Sequence, residues 1–195
     1  VPNEWRIRKA YIENEKKEKI VDIAQNNLCL VGYSVKVDKW VDREELLNHI
    51  YIEENQPDVI PYVTSYYKKQ YGFCMSKEQR DSLPLGKYHM FIDSDLFEGN
   101  LTYGELIIPG RIKKEIFFST YICHPSMANN ECSGPALLSE IIKYVKKFKN
   151  RKYTYRFIFV PETIGSLTYL SRNNNLKVMQ NNVIAGFNLT CVGDN

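Results

Sequence analysis

The chain has no Cys-x-x-C pair, only three histidines and two tryptophans, and no apolar run near the roughly 18 residues that a spanning helix needs. Its five cysteines, Cys29, Cys74, Cys123, Cys132 and Cys191, are odd in number and widely spaced. A disulfide framework is normally even and denser, so free thiols and a reducing, cytoplasmic location are expected. An excess of charge is also missing: 26 basic residues nearly cancel 23 acidic ones, for a net charge of +3. Neither a nucleic-acid partner nor a membrane surface follows from that balance. There is no internal repeat, no secretory leader pattern after Val1 and no initiator Met. The start at Val1 and the stop at Asn195, straight after an apolar run, lead us to expect a piece of a longer protein.

What is present is an ordinary globular composition, 44% hydrophobic and 25% charged, which excludes intrinsic disorder. Fourteen tyrosines suit β-structure with half-wet surfaces. The first half reads as β-rich. Trp5-Arg-Ile-Arg8 alternates like a half-buried strand, and Lys19–Ala24 and Leu28–Val37 read as further strands. Asp42 is placed to cap a short helix over 43–50, and Ser76 to Gln79 has capping-box spacing. The prolines of Gln56-Pro-Asp-Val-Ile-Pro61 exclude a regular helix there. Lys87–Asp93 and Leu101–Pro109, separated by Glu98-Gly-Asn100, read as a hairpin.

The second half changes character. Glu115–Cys123 is a continuous apolar strand of the kind buried on both faces of a parallel sheet. Pro135–Lys147 carries apolar residues at helical spacing and ends in lysines, which suit the helix dipole better than a nucleic-acid patch. Tyr153–Val160, a helix near Gly165–Leu170 and a strand from Val183 to Val192 complete a strand–helix alternation that implies a parallel α/β sheet. The expected organisation is a β-rich (α+β) domain over 1–110 and part of an α/β domain over 111–195.

Open α/β sheets bind ligands beyond the carboxyl ends of their strands. The three loops there are 123–134, with Cys123, His124, Ser126, Asn129, Asn130, Glu131, Cys132, Ser133 and Gly134; 161–165, with Glu162 and Thr163; and the segment from Thr190 onward. One histidine, two glutamates and several amides converge on one edge.

Several stretches are long and peculiar: Val1-Pro-Asn-Glu-Trp5, Asp58–Tyr67, Tyr71-Gly-Phe-Cys74, Thr120–Gly134, Pro161–Ser166 and Cys191-Val-Gly-Asp194. On these the chain resembles, from end to end, an uncharacterised bacterial aminopeptidase-like family. That resemblance implies a partial zinc-peptidase-like, mostly parallel sheet related to the bacterial leucyl aminopeptidases, with an inserted β-rich domain. It further implies two close metals, a bridged water and a glutamate base. Against the family pattern, His124 stands at the first metal-ligand position, but Ser126 replaces the Asp two residues on. Asn130 stands where a metal-bridging Asp belongs, with Glu131 beside it, before a matching Ser133-Gly134. Glu162 matches the general base, whereas Thr163 replaces a ligand Glu and Thr190 a strand-ending Asp. With four carboxylates replaced, two hard cations would be poorly neutralised. A single zinc held by His124, Glu131 and Asn130, with further ligands beyond Asn195, is the expectation.

Plainer readings stand beside these. Histidine after a strand is often structural, and Glu162 and Glu131 could simply favour the N-termini of the helices that follow them. Cys123 next to His124 suggests a thiol nucleophile, but neighbours leaving a strand point to opposite faces, so that pairing is set aside. His49 and His89 read as structural. Tyr62, Tyr66, Tyr67, Tyr71 and Phe73 read as packing, with a ligand-facing surface as the alternative. The function expected is amide hydrolysis on a small peptide or amino-sugar derivative. The rival is a catalytically reduced binding or accessory protein, which the family's company suggests for surface-polysaccharide biosynthesis. A homo-oligomer is left open.

Overall fold

The computed structural model describes residues 3–124 and 127–193. The chain divides into two compact units between Asn100 and Leu101.

In the first unit, β1 (Glu4–Asn14), β2 (Lys19–Asp22), β3 (Val37–Asp42) and β6 (Lys87–Phe97) form an antiparallel sheet in the order β2-β1-β6-β3. Alternation decides which face is inside. Ala10 and Ile12 of β1, Val37 and Val41 of β3, and Tyr88, Met90 and Ile92 of β6 point into one core, joined by Leu46, Phe73 and Met75. Two short helices border it, α1 (Arg43–Leu47) and α2 (Lys77–Asp81). Asp42 and Ser76 cap them as expected, their side chains accepting from Glu45 N and Gln79 N. A small parallel pair, β4 (Ile50–Tyr51) with β5 (Phe73–Cys74), closes the unit, and 56–61 is non-helical.

Three expectations fail here for physical reasons. The strand read over Leu28–Val37 is a single 3-10 turn, Asn27–Cys29, followed by irregular chain. Tyr33 sits at φ 65°, outside extended geometry, and Ser34 makes polar contacts of its own in place of a ladder. Its hydroxyl donates to Val31 O at 2.6 Å, and its carbonyl accepts from Trp5 Nε1 and Ser94 Oγ at 2.9 and 2.7 Å. The hairpin of Lys87–Asp93 with Leu101–Pro109 does not form either. Both edges of β6 are already taken, by β1 and β3. β7 (Gly104–Ile108) pairs instead with the second sheet, so the units divide after Asn100 rather than near Gly110.

In the second unit the strand order is β10-β8-β9-β7. β8 (Glu115–Tyr121), β9 (Thr154–Val160) and β10 (Val183–Asn188) run parallel, and β7 lies antiparallel to β9 at the other end. Successive residues of β9 serve opposite faces. Phe157 packs with Leu138 and Val145 of α3 (Gly134–Lys147), whereas Ile158 and Val160 pack with Tyr169 of α4 (Ile164–Ser171). Helices therefore cover both faces, as a parallel sheet requires. The doubly buried strand is β9; β8, expected in that role, is half-buried along most of its length. A further helix, α5 (Asn175–Asn182), fills the Asn-rich stretch before β10, and β10 ends at Asn188 rather than Val192. Among the described residues no helix is long and apolar enough to cross a membrane.

Candidate functional site

Because β8, β9 and β10 are parallel, the loops that leave them emerge at one edge of the sheet. The first begins after Tyr121 and leads into a π-type turn, Ala128–Ser133, that runs directly into α3. Such turns carry one residue more than an α-helical turn and recur at functional sites. Gly134 is required at this junction, since a Cβ there would lie 2.3 Å from Thr120 Oγ1 and 2.5 Å from Leu189 O. That close approach packs the start of α3 against β8 and against the loop after β10.

The turn aims Glu131 inward, where it is 9% exposed. Its Oε2 accepts from Cys123 N at 2.6 Å, and its Oε1 lies 2.9 Å from His124 Nδ1. This contact holds the carboxylate and the imidazole against each other, close enough for both to reach one ion. Cys123 Sγ, a His124 ring nitrogen and a Glu131 oxygen all lie within 4.8 Å of one another. The premise that Cys123 and His124 point apart is therefore overturned. The strand ends at Tyr121, so strict alternation no longer holds two and three residues later.

The second loop is joined to the first by Glu162, whose backbone N–H donates to Cys123 Sγ at 3.0 Å. Thr163 follows at φ 53°, ψ −71°, with Ile164 N bonded to Glu162 O at 2.5 Å. This is the rare γ-turn, a strained conformation for a β-branched residue. Gly165 permits it, because a Cβ there would come within 2.6 Å of the Pro161 ring. The Glu162 side chain is exposed. Burial pushes the Cys123 thiol pKa up, and the Glu162 N–H opposes that shift in part.

The third loop is tied in by Thr190, whose hydroxyl donates to Tyr121 OH at 2.5 Å, and by Val192 N, which donates to Ser133 Oγ at 2.9 Å. Asn130 directs its Nδ2 to Cys191 Sγ at 3.7 Å, and its Oδ1 is buried without a partner among the described residues. Glu131 thus joins His124 directly, while Asn130 faces the third loop. Ser126 lies outside the described residues. The tyrosine group of the first unit does not form one cluster. Phe73 is fully buried, Tyr71 OH lies 3.1 Å from His49 Nε2, and Tyr67 is 79% exposed. His89 is structural, between Glu13 and Asp38 on the first sheet.

A model of the "Domain of unknown function (DUF4910)" matches residues 2–195. The chain belongs to that family. It is 47% identical over 195 residues to a Clostridium acetobutylicum protein named "Putative polysaccharide biosynthesis protein with aminopeptidase-like domain". All of this chain but only 44% of that relative is covered, so the chain spans less than half the relative's length. A crystal structure of a "putative peptidase" from Clostridium acetobutylicum superposes with a TM-score of 0.93 at 46% identity, over 100% of this chain and 45% of that one. A peptidase M28 precursor from Shewanella amazonensis gives a TM-score of 0.55 at 10% identity, over 96% and 68%, a likeness of fold alone. These likenesses agree with the resemblance to aminopeptidase-like proteins read from the sequence.

The M28-like fold raises the question of whether these residues suit a metal. One thiol, one imidazole and one carboxylate within 4.8 Å suit a single borderline-soft ion such as zinc. They do not suit a pair of hard cations, which would need several more carboxylates.

Proposed function

We propose that this family member is a metal-dependent, aminopeptidase-like hydrolase. It would act on an amide bond beside a free amine, in a small peptide or an amino-sugar derivative. The observation that carries this reading is the Glu131 carboxylate, which binds both Cys123 N–H and His124 at the carboxyl edge of a parallel sheet. The β-rich unit would be an insertion in the peptidase fold. His124 and Glu131 would hold one zinc ion, and the Asn130 amide oxygen would be a third ligand. Bound there, zinc supplies Lewis acidity toward the scissile carbonyl. Glu162 then takes the proton of the attacking water and passes it to the leaving amine. The bond from the Glu162 backbone N–H to Cys123 Sγ supports this role, since it would hold the second loop near the metal ligands.

The test is metal content and turnover of aminoacyl amides and N-acyl amino sugars. Stoichiometric zinc is expected, and His124→Ala should lose it. Glu162→Gln should keep the metal and lower kcat by about 10²–10⁴-fold, the usual contribution of a general base. Protein with no metal and no turnover would overturn the proposal.

A second reading has its own support. Asn130, Thr163 and Thr190 are uncharged where the resemblance calls for carboxylates, which favours a binding or accessory protein that keeps the fold and holds an amino-sugar ligand. Saturable ligand binding without turnover, unchanged in Glu162→Gln, would decide for it.

A further inference from the structure

Resting on that reading, we propose that Cys123 is itself a ligand of the bound metal, making the site a mononuclear Cys123–His124–Glu131 centre. The resemblance assigns this cysteine no role, and the proposal comes from where the chain puts it. Ligand atoms around a tetrahedral zinc, with Zn–N near 2.0 Å and Zn–S near 2.3 Å, lie about 3.3–3.8 Å apart. The Cys123, His124 and Glu131 donors lie within 4.8 Å of one another before any ion draws them together. All three are buried or half-buried, which shields a metal–sulfur bond from competing water.

The environment of the sulfur is that of a ligand rather than a nucleophile. Its hydrogen-bond partner is a backbone donor, Glu162 N–H at 3.0 Å. Such N–H···S bonds orient a metal-bound thiolate and tune it, and here the donor belongs to the residue proposed as the base. The γ-turn at Thr163 fixes the chain immediately after that donor. A thiolate also supplies one of the negative charges that the neutral Asn130 and Thr163 leave out. It favours zinc over magnesium or calcium, in keeping with a single ion. On binding, the Cys123 S–H bond breaks, a metal–sulfur bond forms, and the proton leaves to buffer with no change of oxidation state.

Cobalt(II) serves as a spectroscopic probe of zinc sites. Added to metal-stripped protein, it should give near-ultraviolet sulfur-to-cobalt charge-transfer absorption, and a proton should be released to an indicator dye. Cys123→Ser should abolish that band and weaken zinc binding, measured against a chromophoric chelator, by more than the 10–100-fold typical of an outer-shell change. Cys132→Ser, which alters an exposed thiol, should leave both unchanged. If Cys123→Ser fails to fold, Cys132→Ser and Cys191→Ser decide: a band kept in both belongs to Cys123, and a band lost in either overturns the inference. Cobalt bound with no sulfur band, or with a band that survives Cys123→Ser, would overturn the inference and leave the hydrolase reading standing. Protein that binds neither cobalt nor zinc would overturn both.

Discussion

Each unit holds an arginine between two carboxylates, and the two arrangements differ chiefly in water. In the first unit Arg8 reaches Asp93 from Nε and Nη2, at 2.8 and 2.6 Å, and Asp95 from Nη1 at 2.5 Å. Its side chain is 42% exposed on the open face of an antiparallel sheet. In the second unit Arg156 of β9 grips Glu115 of β8 at 2.6 and 3.1 Å and Glu105 of β7 at 2.5 Å, with its side chain 6% exposed. The hydroxyl of Tyr169 on α4 joins the group, accepting from Arg156 at 2.9 Å and donating to Glu105. Both sets of carboxylates favour the charged arginine, and Arg8 and Arg156 have raised pKa values for that reason. At the surface the pairing competes with water and salt. Beneath α4 it neutralises charges that are largely held out of water, and it ties three strands and a helix together.

The largest effect should follow from breaking the buried set. Arg156→Met leaves Glu115 charged and uncompensated, at a cost of about 3–5 kcal/mol. Denaturant titration, with hydrogen exchange along β8 and β9, would measure it; a loss under 1 kcal/mol would mean that the network matters little. A smaller, pH-dependent effect is expected in the first unit at His89. Burial opposes its charge, but Asp38 and Glu13, hydrogen-bonded to Nε2 and Nδ1, outweigh that and raise its pKa. The raised folded value means that the stabilisation is complete below the ordinary histidine pKa of about 6.5 and is lost as pH climbs through the folded value. Both tryptophans lie in this unit, so their fluorescence reports its unfolding. The urea midpoint should fall between about pH 6 and 8 in the parent and stay flat in His89→Gln. Least of all should come from Arg8→Met, which ought to leave the midpoint nearly unchanged at high salt. A shift as large as that of Arg156→Met would erase the distinction between the two sites.

How much of this could be read in the sequence depends on whether the deciding interaction is local. The caps at Asp42 and Ser76 are bonds across three residues, and both are found as read. α3 and β9 follow from periodicity, and the three loops meet at one edge because parallel strands require it. Strand partners are non-local, so β7 read as a neighbour of β6 when β9 is its actual partner. The inward turn of Glu131 rests on a π-type turn with no compositional mark, and it overrode the alternation that had separated Cys123 from His124. Pro125, which cannot continue a ladder, was the sequence signal that the strand had already ended.

Among the described residues β10 ends the second sheet, hydrogen-bonded to β8 alone. Its sequence, Val-Ile-Ala-Gly-Phe-Asn, carries no lysine, proline or acidic residue, and Ile184 and Phe187 are each about half exposed. Natural sheets blunt a bare margin with such residues, because a row of unpaired N–H and C=O groups is a template for another strand. Here the margin is unguarded, so handled as an isolated 195-residue chain the protein has a built-in seam for edge-to-edge growth, one that a single lysine at Ile184 would be expected to close.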